Sequence, residues 1–247
     1  MAAGDILLAW DATGEHVFET GVDHCVLYPT INTDSSTVAD TYATGGVAWS
    51  GITGVNESPS GADFTKLYAD NIKYLNLQSA EEFGATIEAY TYPDEWQACD
   101  GSASYGGLKG LNIGQQKRGM FGLCYRTKIG DDVEGQDAGY KLHLIYGCQA
   151  AVSGRQYQTV NESPSAITFS WEVQTTPIAV PDQSGTSYNP TSIITIDSRN
   201  FKTGQAKTNL TNLEKLLYGT QGQTSSADVD PVLPTPAKVL AVLSATE

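Results

Sequence analysis

Phe121-Gly-Leu-Cys-Tyr-Arg126 and Tyr140-Lys-Leu-His-Leu-Ile-Tyr146 are the two stretches that decide the fold class. In the first, Phe121, Leu123 and Tyr125 alternate with Gly122, Cys124 and Arg126. In the second, Tyr140, Leu142, Leu144 and Tyr146 alternate with Lys141, His143 and Ile145. A period of two marks a strand, because successive side chains leave a pleated backbone on opposite faces. The connection Gly130-Asp-Asp-Val-Glu-Gly-Gln-Asp-Ala-Gly139 is too polar and glycine-rich to continue either arm. The pair therefore reads as an antiparallel hairpin, with His143 on its wet face.

Working outward, Ile167-Thr-Phe-Ser-Trp-Glu-Val173 is the cleanest single strand, with Ile167, Phe169, Trp171 and Val173 sharing the candidate core face. Ile193–Asp197, 72–77 and 85–92 read as further strands. A lone hairpin would bury none of these faces, so the expected fold is mainly β: two packed, mostly antiparallel sheets in a sandwich or barrel-like single domain over residues 1–247. Near the carboxyl end the period changes. Leu210, Leu213, Leu216 and Leu217 recur at helix spacing, which predicts a flanking helix over 207–218, with Thr208 or Thr211 as cap and Gly219 as stop. Residues 235–243, inside a carboxyl-terminal segment 221–247, suit a short second helix or a terminal strand. The Thr-, Ser- and Gly-rich stretch 32–54 reads as a long loop or marginal hairpin, and Gln221 to Asp230 as an exposed connector.

Val55-Asn-Glu-Ser-Pro-Ser60 recurs as Val160-Asn-Glu-Ser-Pro-Ser165. Either the chain holds two related halves that pack as facing sheets, or both sites converge on one good turn, in which proline fixes φ and Asn and Ser bond nearby amides.

Charge is distributed unevenly. The chain carries 28 acidic and 14 basic residues, and residues 1–105 hold 16 of the acids but only 2 of the bases. The surplus of −14 therefore belongs to the first part of the sequence, and a field of that sign repels a nucleic-acid backbone. No run of 18 apolar residues exists, and the short apolar start Ile6 to Leu8 lacks a basic flank, so neither a membrane span nor a signal peptide is expected, and the protein is expected to be made in a cytosol. Cys25, Cys99, Cys124 and Cys148 form no C-x-x-C pair and read as free buried thiols.

A search for chemistry finds little. There is no G-x-S-x-G elbow, no phosphate-binding glycine loop and no H-E-x-x-H. His24 beside Cys25 resembles half of a zinc site without a second pair, and the acids of 130–139 lack the ligand spacing of a calcium loop. Glu81-Glu82 and Asp131-Asp132 are adjacent carboxylates, which do not face each other across a substrate. No catalytic residue, metal or cofactor is expected.

Leu67-Tyr-Ala-Asp-Asn-Ile-Lys-Tyr-Leu-Asn-Leu77 followed by Ser79-Ala-Glu-Glu-Phe-Gly-Ala-Thr-Ile-Glu-Ala-Tyr-Thr-Tyr-Pro-Asp94 resembles the major tail protein of long non-contractile-tailed bacteriophages. So do the runs 119–131 and 139–148 and the stretch that ends at Thr175-Thr-Pro177; the likeness extends over about residues 45–245. The resemblance implies a virion tail protein, made in the host cytoplasm, that forms hexameric rings with a continuous inner β-barrel. The rings stack into the tube through which DNA leaves the capsid. It further implies a tape measure protein in the lumen, tail terminator and distal tail proteins at the ends, and DNA passing without specific binding. The stretch 32–54 is then expected to reach a neighbouring ring. Acids lining the lumen would keep it from gripping phosphate, and Asp63, Asp70, Glu81, Glu82 and Glu88 are the first candidates because they flank or occupy the strands at 72–77 and 85–92. The alternative from another class is a glycan-binding or adhesion β-sandwich, since Tyr and Trp beside Asn and Asp suit sugars.

Overall fold

The computed structural model describes residues 10–32, 40–108, 110–160, 162, 165–183, 185–221 and 228–246. Its strands begin with β1 (Phe18–Tyr28), β2 (Thr30–Ile31), β3 (Thr41–Thr44), β4 (Val47–Ala48), β5 (Ile52–Glu57) and β6 (Ser60–Gly61). They continue with β7 (Phe64–Ala69), β8 (Ile72–Gln78), β9 (Glu81–Glu82), β10 (Gly84–Ala89), β11 (Ala103–Ser104) and β12 (Asn112–Ile113). The last are β13 (Met120–Asp131), β14 (Gly135–Ala150), β15 (Phe169–Thr175), β16 (Ile193–Asp197) and β17 (Leu233–Pro234). Three α-helices accompany them: α1 (Gln97–Asp100), α2 (Gly204–Tyr218) and α3 (Pro236–Leu243).

One sheet of eight strands dominates, in the order β4-β1-β13-β14-β15-β10-β5, with β16 also on β14; all its pairings are antiparallel. The long strand β14 changes partner along its length. Lys141 to Ile145 pair with β16, and Cys148 to Ala150 pair with β15. Gly147 sits at the changeover with φ of +63°, donates its N–H to Tyr42 Oη at 2.8 Å and accepts from the Thr176 N–H at 2.9 Å. A Cβ there would lie 2.0 Å from the Thr176 carbonyl oxygen, so both the dihedral and the close approach require glycine.

The expectation of two facing sheets is overturned, and so is the barrel. Among the described residues the smaller sheets have two or three strands each, strands from both halves of the chain enter the one large sheet, and no sheet closes on itself. The physical reason lies in what covers the central hairpin. Phe121, Leu123 and Tyr125 join Trp49, Trp96 and Trp171 in one core, formed as the sheet curls until β5 comes against β1. Tyr125 Oη reaches Glu57 Oε1 across that curl at 2.5 Å, a side-chain tie where no ladder joins the strands. Cys124, Leu142, Leu144 and Tyr146 form a second core on the other face with Leu210, Leu213 and Leu217 of α2 and Val239 of α3. A layer of helices thus stands where the second sheet was expected.

Burying both faces also moves His143, which is 8% exposed and packed against Tyr125 rather than on a wet face. Trp171 and Val173 are buried as expected, while Phe169 and Ile167 are half-buried and Ile167 precedes the strand. In the helix, Leu210, Leu213 and Leu217 are buried and Leu216 is half-buried.

The helix itself starts earlier than the cap residues suggest. Thr203 is its N-cap residue, and Thr208 and Thr211 lie inside, donating back to the carbonyls of Gly204 and Lys207. Gly219 ends it with φ of +73°. Sheet tyrosines hold the helical layer: Tyr28 Oη donates to the Leu217 carbonyl at 2.7 Å, one of the last-turn acceptors a helix leaves unpaired, and Tyr146 Oη donates to the Pro234 carbonyl. The region 235–243 resolves to helix, with Thr235 as a side-chain cap.

The stretch 32–54 holds β3, β4 and the start of β5 where it is described, and its residues 33–39 lie outside the described residues. So do Ile6 to Leu8, residues 222–227 of the connector and parts of the second Asn-Glu-Ser-Pro copy. The strand expected over 72–77 is β8, and that over 85–92 is β10, which ends at Ala89.

Candidate functional site

The feature that sets this molecule apart is a ribbon that leaves the large sheet. The pair β5–β10 at the sheet edge continues outward as β6–β9 and then as β7–β8, which among the described residues pair only with each other. Gly61, with φ of +80°, lets the stalk strands approach: a Cβ there would meet the Ala80 carbonyl oxygen at 2.2 Å. At the stalk head Ser79 Oγ accepts the Asp63 N–H at 3.0 Å, and the Asp63 carbonyl accepts the Ser79 N–H. The tip is the two-residue turn Asp70-Asn71, both with positive φ, 52° and 64°. Such a turn matches the twist of the flanking strands, and Asp and Asn are the non-glycine residues that tolerate it best. At about 3.3 Å per residue, the ten residues from Ser60 to the tip give a reach on the order of 30 Å.

Register sorts the side chains of β7–β8 into two faces. Thr65 pairs with Leu77, Leu67 with Leu75 and, past a register shift at Tyr74, Ala69 with Ile72, which makes one face mostly apolar. Phe64, Lys66 and Tyr68 lie on the other face, opposite Gln78, Asn76 and Lys73. The apolar face is uncovered: Ile72 is 66% exposed, Leu77 53%, Leu67 40% and Leu75 37%. A two-stranded ribbon is marginal in water by itself, and a contiguous exposed apolar face marks an interaction surface. Lys66 and Lys73 are the two basic residues of the first 105, so the ribbon is the least acidic element in the acidic part of the chain.

The sequence signal for the ribbon was present in Asp70-Asn71 between two β-rich runs, but reading 72–77 as an isolated strand misses its partner. The five candidate acids are strung out rather than gathered. Asp63 stands at the stalk head, Asp70 at the tip, Glu81 and Glu82 on the exposed stalk strand β9, and half-buried Glu88 on β10, opposite Gly54 and Ser170.

Elsewhere the polar groups do structural work. Arg126 is held by both Asp23 carboxylate oxygens, which keeps that carboxyl below the usual range. Arg155 pairs with the buried Asp100, and Asp197 grips Arg199. All four cysteines are free and buried; burial pushes the Cys99 and Cys124 thiols up to about 12 and Cys25 and Cys148 higher still, so none is poised as a thiolate. Among the described residues no group of three His, Cys, Asp or Glu side chains could hold a metal ion, and no helix is long and apolar enough to cross a membrane. Trp49, Trp96 and Trp171 are buried in the core, which removes them from any sugar-binding surface.

No protein-family model matches the chain, and no curated protein matches it.

Proposed function

We propose that the chain is a structural subunit that assembles with copies of itself into stacked hexameric rings, forming the tail tube through which phage DNA passes. The observation that supports this reading is the ribbon β7–β8, whose uncovered apolar face needs a partner surface. The resemblance to tail-tube proteins contributes the ring geometry, the tape measure, terminator and distal tail proteins as neighbours, and the virion tail as location. The charge of −14 suits a conduit, since a polyanion in transit is not retained by an acidic wall. In this reading the subunit performs no turnover. Electron microscopy of the purified protein tests it: rings or tubes are expected, and a protein that stays monomeric at every concentration and salt would overturn it. Lumen charge is tested separately by reversing Asp63, Asp70, Glu81, Glu82 and Glu88 to lysine in assembled tubes, which should slow DNA passage more at low salt than at high salt.

A further inference from the structure

The ribbon leaves the body at a root that side chains of the body grip on both of its strands. On the outgoing strand, Glu57 is the last residue of β5, and its Oε1 accepts the Tyr125 hydroxyl. Burial, with the carboxylate beside it, pushes the Tyr125 phenol well above its ordinary range, so this hydroxyl keeps its proton and donates. On the returning strand, Phe83 stands between β9 and β10, half-buried against the core that holds Trp171. Its carbonyl accepts the hydroxyl of Thr175, the last residue of β15, at 2.7 Å. Between the two grips the root strands meet closely. Ser58 donates its N–H to the Gly84 carbonyl at 2.7 Å, and a Cβ on Gly84 would lie 3.0 Å from the Ser58 carbonyl oxygen and 3.5 Å from that of Val173. One step outward the grip ends: Ser60, Gly61, Glu81 and Glu82 are all exposed, and among the described residues β6 and β9 pair only with each other.

We propose that Tyr125 and Thr175 are positioning residues that clamp the root and hold the ribbon in one direction, so that each subunit presents it already aimed. This rests on the assembly reading above and names what prepares the ribbon for it. With a reach on the order of 30 Å, a swing of about 10° at the root displaces the tip by about 5 Å, roughly one strand spacing. A displacement of that size takes Ile72 and Leu75 off any surface shaped for them. A ribbon free to swing must give up that freedom in each contact it makes, whereas a clamped one has already lost it in the folded subunit. The two grips come from β13 and β15, strands of the large sheet that also carry core residues, so the body's own rigidity fixes the ribbon's direction. Both hydroxyls act at the root and not on Leu67, Ile72, Leu75 or Leu77, so loosening the root leaves the apolar face unchanged.

The test places nitroxide labels on the full chain at Lys73→Cys, beside the tip and off the apolar face, and at Lys215→Cys, on the exposed side of α2. The four native cysteines are buried, which leaves the introduced pair to react. Pulsed electron paramagnetic resonance of the dispersed chain reads the tip-to-body distance, and sedimentation reads the concentration at which the unlabelled chain assembles. Tyr125→Phe, which keeps the ring on His143, combined with Thr175→Val should broaden the distance distribution and raise the concentration needed for assembly by about tenfold or more. Each single substitution should do the same to a smaller extent, and Thr175→Ser, which keeps a hydroxyl, should match the wild type in both measurements. An unchanged distribution in the double variant, even with a lowered melting temperature, overturns the clamp. Broadening without any change in assembly overturns the positioning role. Both of those results leave the assembly reading standing, whereas a wild-type chain that stays dispersed at every concentration overturns that reading and the role built on it.

Discussion

The Tyr125 ring stacks on His143 with centroids 4.6 Å apart and planes 8° from parallel, and both side chains address the same carboxylate, Glu57. Tyr125 Oη donates to Glu57 Oε1, and His143 Nδ1 lies 3.6 Å from the same oxygen while its Nε2 is 3.0 Å from Thr127 Oγ1. Glu57 comes from β5 and the other three from β13 and β14, so this cluster fastens the curled edge of the sheet to its centre.

A pH dependence follows from that cluster. Burial lowers the His143 pKa from 6.5; Glu57 and Glu19 offset part of the effect and Lys141 adds to it. The unfolded chain then binds a proton at this site more readily than the folded chain. The neutral ring's full contribution is present above pH 6.5 and is lost as pH falls below it toward the folded pKa. The melting temperature should drop as pH falls through this window, and His143→Gln should reduce the slope. An identical slope in both proteins would exclude His143 as the group responsible.

Gly147→Ala is expected to be the costliest single-methyl change in the large sheet. It sets a Cβ 2.0 Å from the Thr176 carbonyl at a backbone dihedral that L residues rarely adopt. Relieving that overlap separates β14 from β15 at the point where β14 leaves β16. A loss of about 3 kcal/mol or more is expected from urea denaturation. A loss below about 1 kcal/mol would show that the bend tolerates a side chain.

Asn209 illustrates a polar residue that holds the helical layer. It is 3% exposed on α2, and its Nδ2 donates to the carbonyls of Leu243 and Ala245 at 3.1 and 2.9 Å, while its Oδ1 accepts from Gln205 Nε2 at 2.9 Å. The side chain thus supplies donors to acceptors that the end of α3 cannot satisfy internally. Asn209→Ala should cost about 2 kcal/mol and raise amide exchange in α3 before it does so in β13 or β14. Asn209→Asp should cost more, because its carboxylate would accept where a donor is needed.

The sequence made the strands legible and their surroundings much less so. Alternation in 121–126 and 140–146 identifies β13 and β14, and the leucine spacing identifies α2 to within a turn. What local pattern does not carry is which element lies over each face. His143 and Lys141 share parity, so the pattern assigns both to water, yet the curl of the sheet brings Glu57 of β5 over His143 and its cross-strand partner Tyr125. The helices that replace a second sheet cover Leu142 and Leu144 from more than 60 residues away. The ribbon fails in the opposite direction: Leu67, Leu75 and Leu77 have the pattern of a core strand, but nothing among the described residues covers them to the same extent. Its turn was readable, since Asp-Asn between β-rich runs suits positive φ at both positions.

That difference between a patterned face and a covered face gives the last prediction. Among the described residues the β7–β8 ribbon has two strands, no second layer and solvent on both faces, so opening it breaks few contacts, whereas opening β13 or β14 disrupts both cores. In the dispersed chain, ribbon amides should show protection of about tenfold or less, while those of β13 and β14 approach the protection set by global unfolding. On assembly the ribbon's free energy of opening should rise, because Leu67, Ile72, Leu75 and Leu77 lose their water to a partner surface. Protection in β7–β8 should then increase well beyond any change in β13. Because that gain comes from apolar burial, added salt should not reverse it, in contrast to a contact held by Lys66 and Lys73 alone. Hydrogen exchange followed by mass spectrometry, on dispersed and assembled protein at low and high salt, measures all three quantities. Equal protection of the ribbon in the two states would show that its apolar face stays in water after assembly and that the subunits meet elsewhere.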